Sequence, residues 1–250
     1  VITKDDEIVA LLDGDIIAYK AAALADGHGP DELVTCIKRT VMEWTQSVSA
    51  QTCRVFVSEG KNFRFNVYPE YKSNRKGQPK PPGVDWAKEW MLDYYEQEVS
   101  DPDLEADDRM GLYATEDTYE IRVIVSTDKD LRQIPAYLYN PDKSLWPTKA
   151  TLEEGMAMVA QQWVCGDPVD GYKGIPGIGP AKYRTWLEDQ EDPTSENVYE
   201  FYESKGLDRD YCSGQLLCSV IKHHFLPSVL KTRDITALQD GEHFRIPSGG

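Results

Sequence analysis

An α/β fold, a parallel sheet flanked by helices and followed by a mainly helical region, is expected from this chain on three grounds. Short apolar or β-branched runs at 8–13, 53–59 and 121–127 alternate with stretches of helical periodicity, the pattern of a parallel sheet with crossover helices. Acidic residues follow these runs, at the strand ends where ligands gather in open parallel sheets. From about residue 165 the strand pattern gives way to helices and a glycine-rich loop.

The elements read as follows. IVALLD (8–13) is a buried strand ending at Asp13, and IIAYKAAALA (16–25) is helical, with Asp15 placed to cap it. Pro30 opens a second helix to about Ser49, with Leu33, Ile37, Val41 and Trp44 on one face. CRVFVSE (53–59) is a strand that ends at Glu59. Residues 60–84 are basic and rich in Pro and Gly, without periodicity: Lys61, Arg64, Lys72, Arg75, Lys76 and Lys80 face the single acid Glu70. Helices are expected at 84–99, from Glu105 to about Thr115, at 151–164 and through much of 180–230. IRVIVST (121–127) is the strand richest in β-branched residues, and AYLYN (136–140) is a fourth. The organisation is a core over 1–165 and a mainly helical region over 166–250.

With 250 residues, 40% of them hydrophobic, the chain can bury one large core or a core with an appended subdomain. No apolar run approaches the roughly eighteen residues of a membrane span, and the N-terminal VITKDDEIV holds no signal-peptide core. Five cysteines without a CxxC pair read as reduced thiols of a cytoplasmic protein. A net charge of −16 runs against nucleic-acid binding. Its distribution softens that objection, because nine acids stand in four tight groups and the basic segment stands apart from them.

Those groups are Asp13 and Asp15 in LLDGD, Glu105, Asp107 and Asp108 in LEADD, Asp128 and Asp130 in STDKD, and Asp167 and Asp170 in GDPVD. Each has an ordinary explanation: helix capping for Asp15, EADD and DPVD, turn chemistry for STDKD. Their coincidence at equivalent strand ends has another. Like charges repel, and divalent cations relieve that repulsion in oxygen-rich sites. Glu105 and Asp108 share a helix face, and Asp128 and Asp130 point the same way if the backbone stays extended. The histidines, His28, His223, His224 and His243, lie elsewhere, which disfavours a zinc hydrolase. Oxygen-only coordination fits two Mg²⁺ or Mn²⁺ ions acting on an in-line displacement at phosphorus.

GYKGIPGIGPAK follows directly, with Gly174, Gly177 and Gly179 around Ile175, Pro176 and Ile178. This is the pattern of a helix-hairpin-helix whose exposed amides hold a phosphodiester backbone, with Lys173 and Lys182 adding charge. In PEYKSNRKGQPKPP, Tyr71 is placed to stack on a base and Lys72, Arg75 and Lys76 to hold a strand; a solvated basic loop is the alternative.

In this order, DGD, VSEGKNFRFNVYPEYKSNR, LEADD, STDKDL and GDPVDGYKGIPGIGPAK resemble the motifs of the flap endonuclease / 5′→3′ exonuclease family, in its bacteriophage and bacterial polymerase-associated members. The resemblance implies a PIN-like sheet, a short helical arch at about 60–84 and a helix-hairpin-helix at about 170–187. It implies Asp13, Glu105, Asp107 and Asp108 as ligands of a first metal ion, and Asp128, Asp130, Asp167 and Asp170 as ligands of a second. Glu59 stands where the family has aspartate and is carried as a longer metal-contacting carboxylate. Tyr71, Lys72 and Arg75 match the base of the arch, with Lys72 at the scissile phosphate, and the glycine loop would also bind K⁺. The implied activity is metal-dependent 5′→3′ exonuclease and structure-specific 5′ flap cleavage of DNA by two metal ions, in phage replication or recombination. A monomer in the host cytoplasm, free of membrane and open to a replication-protein partner, completes the expectation. Two other readings stay open: a PIN-type single-strand ribonuclease, which generally lacks the glycine hairpin, and an inactive junction-binding protein, which would need lost metal ligands.

Overall fold

The computed structural model describes residues 2, 7–26, 28–97, 101–240 and 242–248. Among them a five-stranded sheet runs in the order β2-β1-β3-β4-β5. The strands are β1 (Ile8–Asp13), β2 (Thr52–Phe56), β3 (Ile121–Val125), β4 (Tyr137–Tyr139) and β5 (Thr148–Lys149). β1 pairs in parallel with β2 and β3, β3 pairs in parallel with β4, and β5 runs antiparallel to β4. Every residue of β1 is buried. It lies inside the sheet with both faces covered, which is why it reads as an unbroken apolar run instead of an alternation. Full burial of a side chain such as Leu11 or Leu12 contributes roughly 1.5–3 kcal/mol.

One face of the sheet carries α1 (Gly14–Leu24), α2 (Pro30–Ser47) and α4 (Val84–Tyr94), packed through Leu12, Ile17, Ile37, Trp44 and Met91. The expected face of α2 is the buried one. The other face carries α5 (Ala106–Ala114), packed through Leu11, Phe56, Met110 and Ile124. A second core gathers α6 (Leu152–Cys165), α7 (Pro180–Glu188), α8 (Ser195–Glu203) and α9 (Arg209–Ser219) around Trp163, Tyr199, Tyr202 and Leu216. The short α3 (Arg64–Val67), α10 (Ser228–Lys231) and α11 (Ile235–Gln239) complete the helices.

Several expectations shift. Asp13, not Asp15, caps α1: its Oδ1 accepts from the Ile16 N–H at 3.1 Å. The helix starts at once because Gly14 presses against the neighbouring strand, where a Cβ would come within 2.6 Å of the Phe56 carbonyl. β2 stops at Phe56, so Glu59 falls beyond the strand end. The helix expected at 84–99 ends at Tyr94, and residues 98–99 lie outside the described residues, as do 1 and 3–6 of the N-terminus. β5 was not expected, because two residues carry no periodicity. The glycine-rich stretch lies between α6, ending at Cys165, and α7, starting at Pro180. Within the basic segment, regular structure consists of α3 and a 3₁₀ turn, Ser73–Arg75. The five cysteines are unpaired. No helix among the described residues is long and apolar enough to cross a membrane.

Candidate active site

From β1 the chain crosses to β2 on one side and later returns to β3 on the other. The gap between the carboxyl ends of β1 and β3 is therefore a topological switch point, where a crevice opens in sheets of this kind. A cavity of roughly 1060 Å³ lies there, lined by Asp13, Asp107, Asp128, Asp130, Lys72 and Arg75 among others. Ser126, at the end of β3, ties two of the acids together. Its hydroxyl donates to Asp13 Oδ2 at 2.5 Å and accepts from the Asp128 N–H at 3.0 Å. The backbone then turns, contrary to the extended path expected: the Asp130 N–H donates to Asp128 Oδ1 at 2.8 Å and a 3₁₀ helix begins. Asp130 is steadied from α6, where Gln162 Nε2 donates to its Oδ1 at 2.8 Å. Gln162 is itself fixed by the buried Gln133, whose Nε2 donates to Gln162 Oε1 at 2.7 Å.

In LEADD the capping explanation and the site coexist. Glu105 and Asp108 form a reciprocal capping box at the start of α5, yet the three side chains diverge. Glu105 meets the basic segment, accepting from Lys72 Nζ at 2.6 Å and the Tyr71 hydroxyl at 2.9 Å. Asp107 lines the cavity. Asp108 turns inward to 0% exposure. There Arg64 donates to both its oxygens at 2.7 Å, and the Lys222 N–H donates to Oδ1 at 3.0 Å. Asp108 is thus not brought to the cavity with its neighbours.

The fourth group also splits. Asp167 is buried and accepts from the Val169 N–H at 2.6 Å, a local turn in place of a helix cap. Asp170 faces the cavity and accepts from Arg75 Nη2 at 2.5 Å and the Tyr71 hydroxyl at 3.0 Å. Asp15 also lines the cavity, held by Lys88 Nζ at 2.9 Å. Lys72 takes the left-handed φ of 52°, a conformation that costs a non-glycine residue roughly 1–3 kcal/mol. It is held there by its N–H donating to the Asp170 carbonyl at 2.7 Å. Lys76 reaches the same cavity. Tyr71 departs from its expected role: it is 1% exposed, so its ring offers no face to a base, and its hydroxyl orients Glu105 and Asp170 instead. Glu59 is not brought to the cavity, because Arg109 Nη1 donates to it at 3.2 Å outside that wall.

Electrostatics separate the acids further. Burial, then the charge of Asp15, pushes Asp13 up to about 7. Burial, then Asp128 and Asp167, pushes Asp130 up to about 6. Asp107 is driven well above the usual carboxylate range by burial, then by Asp13 and Asp128. For Asp108 burial acts in the same direction, but Arg64 outweighs it and holds the carboxyl below the usual range. Among the described residues no three His, Cys, Asp or Glu side chains converge on one point in the manner of an ion cage; Lys72 and Arg75 occupy Glu105 and Asp170 instead. The donor set nonetheless suits a hard divalent cation: it is oxygen-only and mutually repelling at Asp13, Asp107 and Asp130, with only the distant, exposed Lys129, 3.9 Å from Asp130, as an ion-pair partner among the described residues.

In the glycine loop, Gly174 takes φ 57°, and a Cβ there would lie 2.4 Å from the Gly166 nitrogen. Gln215 Oε1 accepts from the Lys173 and Gly174 N–H groups at 2.9 and 2.7 Å. Gly177 also has positive φ, and Gly179 precedes α7 with no side-chain cap, which leaves the first amides of that helix to an outside acceptor. Lys182 Nζ donates to the Gly177 carbonyl at 2.8 Å, and Lys173 Nζ pairs with Glu70 at 2.9 Å. Arg64, Ser126, Gln133, Gln162, Gln215 and Lys222 were not singled out as supports of the site. Arg64 was counted with the solvated basic segment; its one sequence signal is its place between Phe63 and Phe65.

Residues 8–158 match the family model described as 5′-3′ exonuclease, N-terminal resolvase-like domain. The exodeoxyribonuclease of Enterobacteria phage T3 is 31% identical over 204 residues, 70% of this chain and 65% of that protein. The 5′-3′ exonuclease of Mycobacterium tuberculosis is 30% identical over 159 residues, 50% of each. The chain thus spans less than two thirds of the length of these relatives. Among solved structures, the D15 protein of bacteriophage T5 co-crystallised with metal ions superposes with a TM-score of 0.61 at 16% identity, over 84% of this chain and 88% of that one. The T5 D15 flap endonuclease complex with DNA and metal ions gives 0.59 at 17%, over the same shares of 84% and 88%. At such identity the likeness speaks for a shared PIN-like fold.

Proposed function

Because the chain belongs to the 5′→3′ exonuclease and flap endonuclease family, we propose that it is a metal-dependent nuclease cutting DNA phosphodiester bonds at 5′ ends and 5′ flaps. One observation carries the reading: mutually repelling carboxylates, Asp13, Asp107 and Asp130, share a cavity with Lys72 and Arg75. Asp13, Asp107, Asp128 and Asp130 would hold the divalent cations, Mg²⁺ or Mn²⁺, with Glu105, Asp167 and Asp170 beside them. Bound there, such cations would supply an acidified water and countercharge for the phosphate.

The remaining work falls to the chain. Lys72 and Arg75 are kept in place by Glu105 and Asp170 and exchange those partners for the oxygens of the scissile phosphate, where charge-assisted donors act most strongly. Burial alone would lower the Lys72 pKa, but Glu105 and Asp170 raise it, so the ammonium arrives charged. Tyr71 keeps both acids oriented. The uncapped start of α7, with Gly177, Gly179 and Lys182, supplies sequence-independent contact to the duplex backbone.

The test offers a 5′-flapped duplex, a blunt duplex and single-stranded RNA to the protein with Mg²⁺ and with EDTA. Metal-dependent cutting of the DNA substrates, abolished by joint Asp128→Asn and Asp130→Asn while junction binding survives, is the expected result. Cutting of RNA alone, or turnover retained in the double variant, would overturn the reading.

A further inference from the structure

The turn that joins β4 to β5, residues 140–147, is fastened at several points. The Asn140 carbonyl accepts from the N–H groups of Lys143 at 3.1 Å and Ser144 at 2.8 Å. Its side-chain Oδ1 accepts from the Asp142 N–H at 3.0 Å. Lys20, from α1, donates to both oxygens of Asp142 at 2.7 and 2.9 Å. Asn140 Nδ2 donates to the Thr127 carbonyl at 3.4 Å, which ties the turn to the loop carrying Asp128. Since β4 is parallel to β3, the turn leaves the sheet at the same edge as the acidic cavity.

On this anchored turn stand Leu145 at 82% and Trp146 at 75% exposure. Anchored backbone normally serves to position a side chain, and here the side chains so positioned are large, apolar and uncovered. Along 140–149 the chain carries Lys143 and Lys149 against the single acid Asp142, which Lys20 already holds. Lys143 and Lys149 are exposed, whereas Lys129 turns toward the acidic cavity, its Nζ 3.9 Å from Asp130. The nearby acids are largely engaged: Asp142 by Lys20, and Glu154 by the cap of α6; Glu153 is exposed. An exposed aromatic beside lysines, at the sheet edge where the acidic cavity opens, has the composition that binds unpaired nucleic acid by stacking and backbone attraction.

We infer that this turn is a stacking platform for an unpaired nucleotide of the DNA, with the Trp146 indole against the base and Lys143 and Lys149 along the phosphates. The inference rests on the nuclease reading above and extends it to a contact outside the cleavage cavity, one that selects substrates with a single-stranded arm.

The experiment measures binding in EDTA by fluorescence anisotropy. It compares a blunt duplex, the same duplex with an unpaired arm, and one whose arm carries abasic sites. Trp146→Ala should weaken binding to the natural arm about tenfold, and Trp146→Phe should recover most of the loss. On the abasic arm the wild type and Trp146→Ala should bind alike, an equality that a purely structural role for Trp146 does not produce. If Trp146→Ala matches the wild type on the natural arm while the wild type cuts DNA with Mg²⁺, the platform is wrong and the surface serves another partner, such as a protein. If the wild type cuts no DNA at all, the nuclease reading fails first.

Discussion

Asp107 and Asp108 are consecutive residues on the first turn of α5, and their environments are opposite. Asp108 is sealed from solvent against the Arg64 guanidinium, which meets both its oxygens and reaches Glu105 only at 3.4 Å, and is held below the usual carboxylate range. Asp107 opens on the cavity with Asp13 and Asp128 for company and is driven the other way. The difference teaches how one acidic motif serves two ends. A carboxylate whose countercharge is built into the protein joins the fold together; one whose countercharge is missing stores repulsion that a cation from solution relieves. Asp108 with Arg64 fastens α5 to α3, and through the Lys222 N–H to the segment after α9. Asp107 makes no such tie, and in the proposed function it serves the chemistry instead.

Substitution breaks this comparison most directly. Asp108→Asn leaves Arg64, itself 2% exposed, with only the longer 3.4 Å contact to Glu105 for its charge, and should cost roughly 3 kcal/mol. Asp107→Asn removes repulsion alone; in EDTA it should match or exceed the wild type in stability, yet cut no DNA. Urea unfolding of the three proteins in EDTA measures both signs. Equal destabilisation by the two substitutions would erase the distinction.

A pH series sharpens the same contrast. Asp13 lies near 7 and Asp130 near 6 in the folded chain, whereas both return to about 3.9 when unfolded. Between those values the folded state binds more protons than the unfolded state, so stability falls as pH rises. Asp108 has the opposite sign: its lowered folded value contributes stability that is complete above about 4 and fades as pH drops below that. His223, pushed down to about 4 by burial, also loses stability as pH falls from about 6.5, with or without metal. The clean readout is therefore the gap in melting temperature between Mg²⁺ and EDTA. It should be small at pH 5 and widen by on the order of 5 °C at pH 8. A gap that stays constant would mean the acids of the cavity do not bind the ion.

Much of this was legible in the sequence, for reasons that can be named. β1 and β3 announce themselves as unbroken apolar runs because the sheet buries both their faces, and α2 does so by periodicity. The acids could be read as one cluster because parallel strands deliver their ends to one edge. Spacing could not tell which acid is spoken for. That depends on Arg64, 44 residues before Asp108, and on Lys222, 114 residues after it. Nor could it show that Tyr71 lies under the cavity floor and not over it, since an aromatic beside lysines reads the same in either place. The Gln162–Gln133 support of Asp130 was equally hidden, because buried glutamines leave no pattern in a helix of mixed polarity.

Glu59 offers the smallest and most discriminating effect. It stands past the end of β2, half exposed, with Arg109 as its partner, so it resembles Asp108 in having a protein countercharge and Asp107 in meeting solvent. Arg109 is fully buried, but its other anchor is the Val57 carbonyl, and water can replace an exposed carboxylate more readily than a buried one. Glu59→Gln should therefore cost no more than about 1 kcal/mol and lower metal-dependent cutting less than about threefold, an effect under 1 kcal/mol. Cutting rates measured across a Mg²⁺ titration decide the matter. A Glu59→Gln variant that needs far more Mg²⁺ for half-maximal rate would return this residue to the metal-binding set, and would mean that having a protein partner does not by itself exclude a carboxylate from the chemistry.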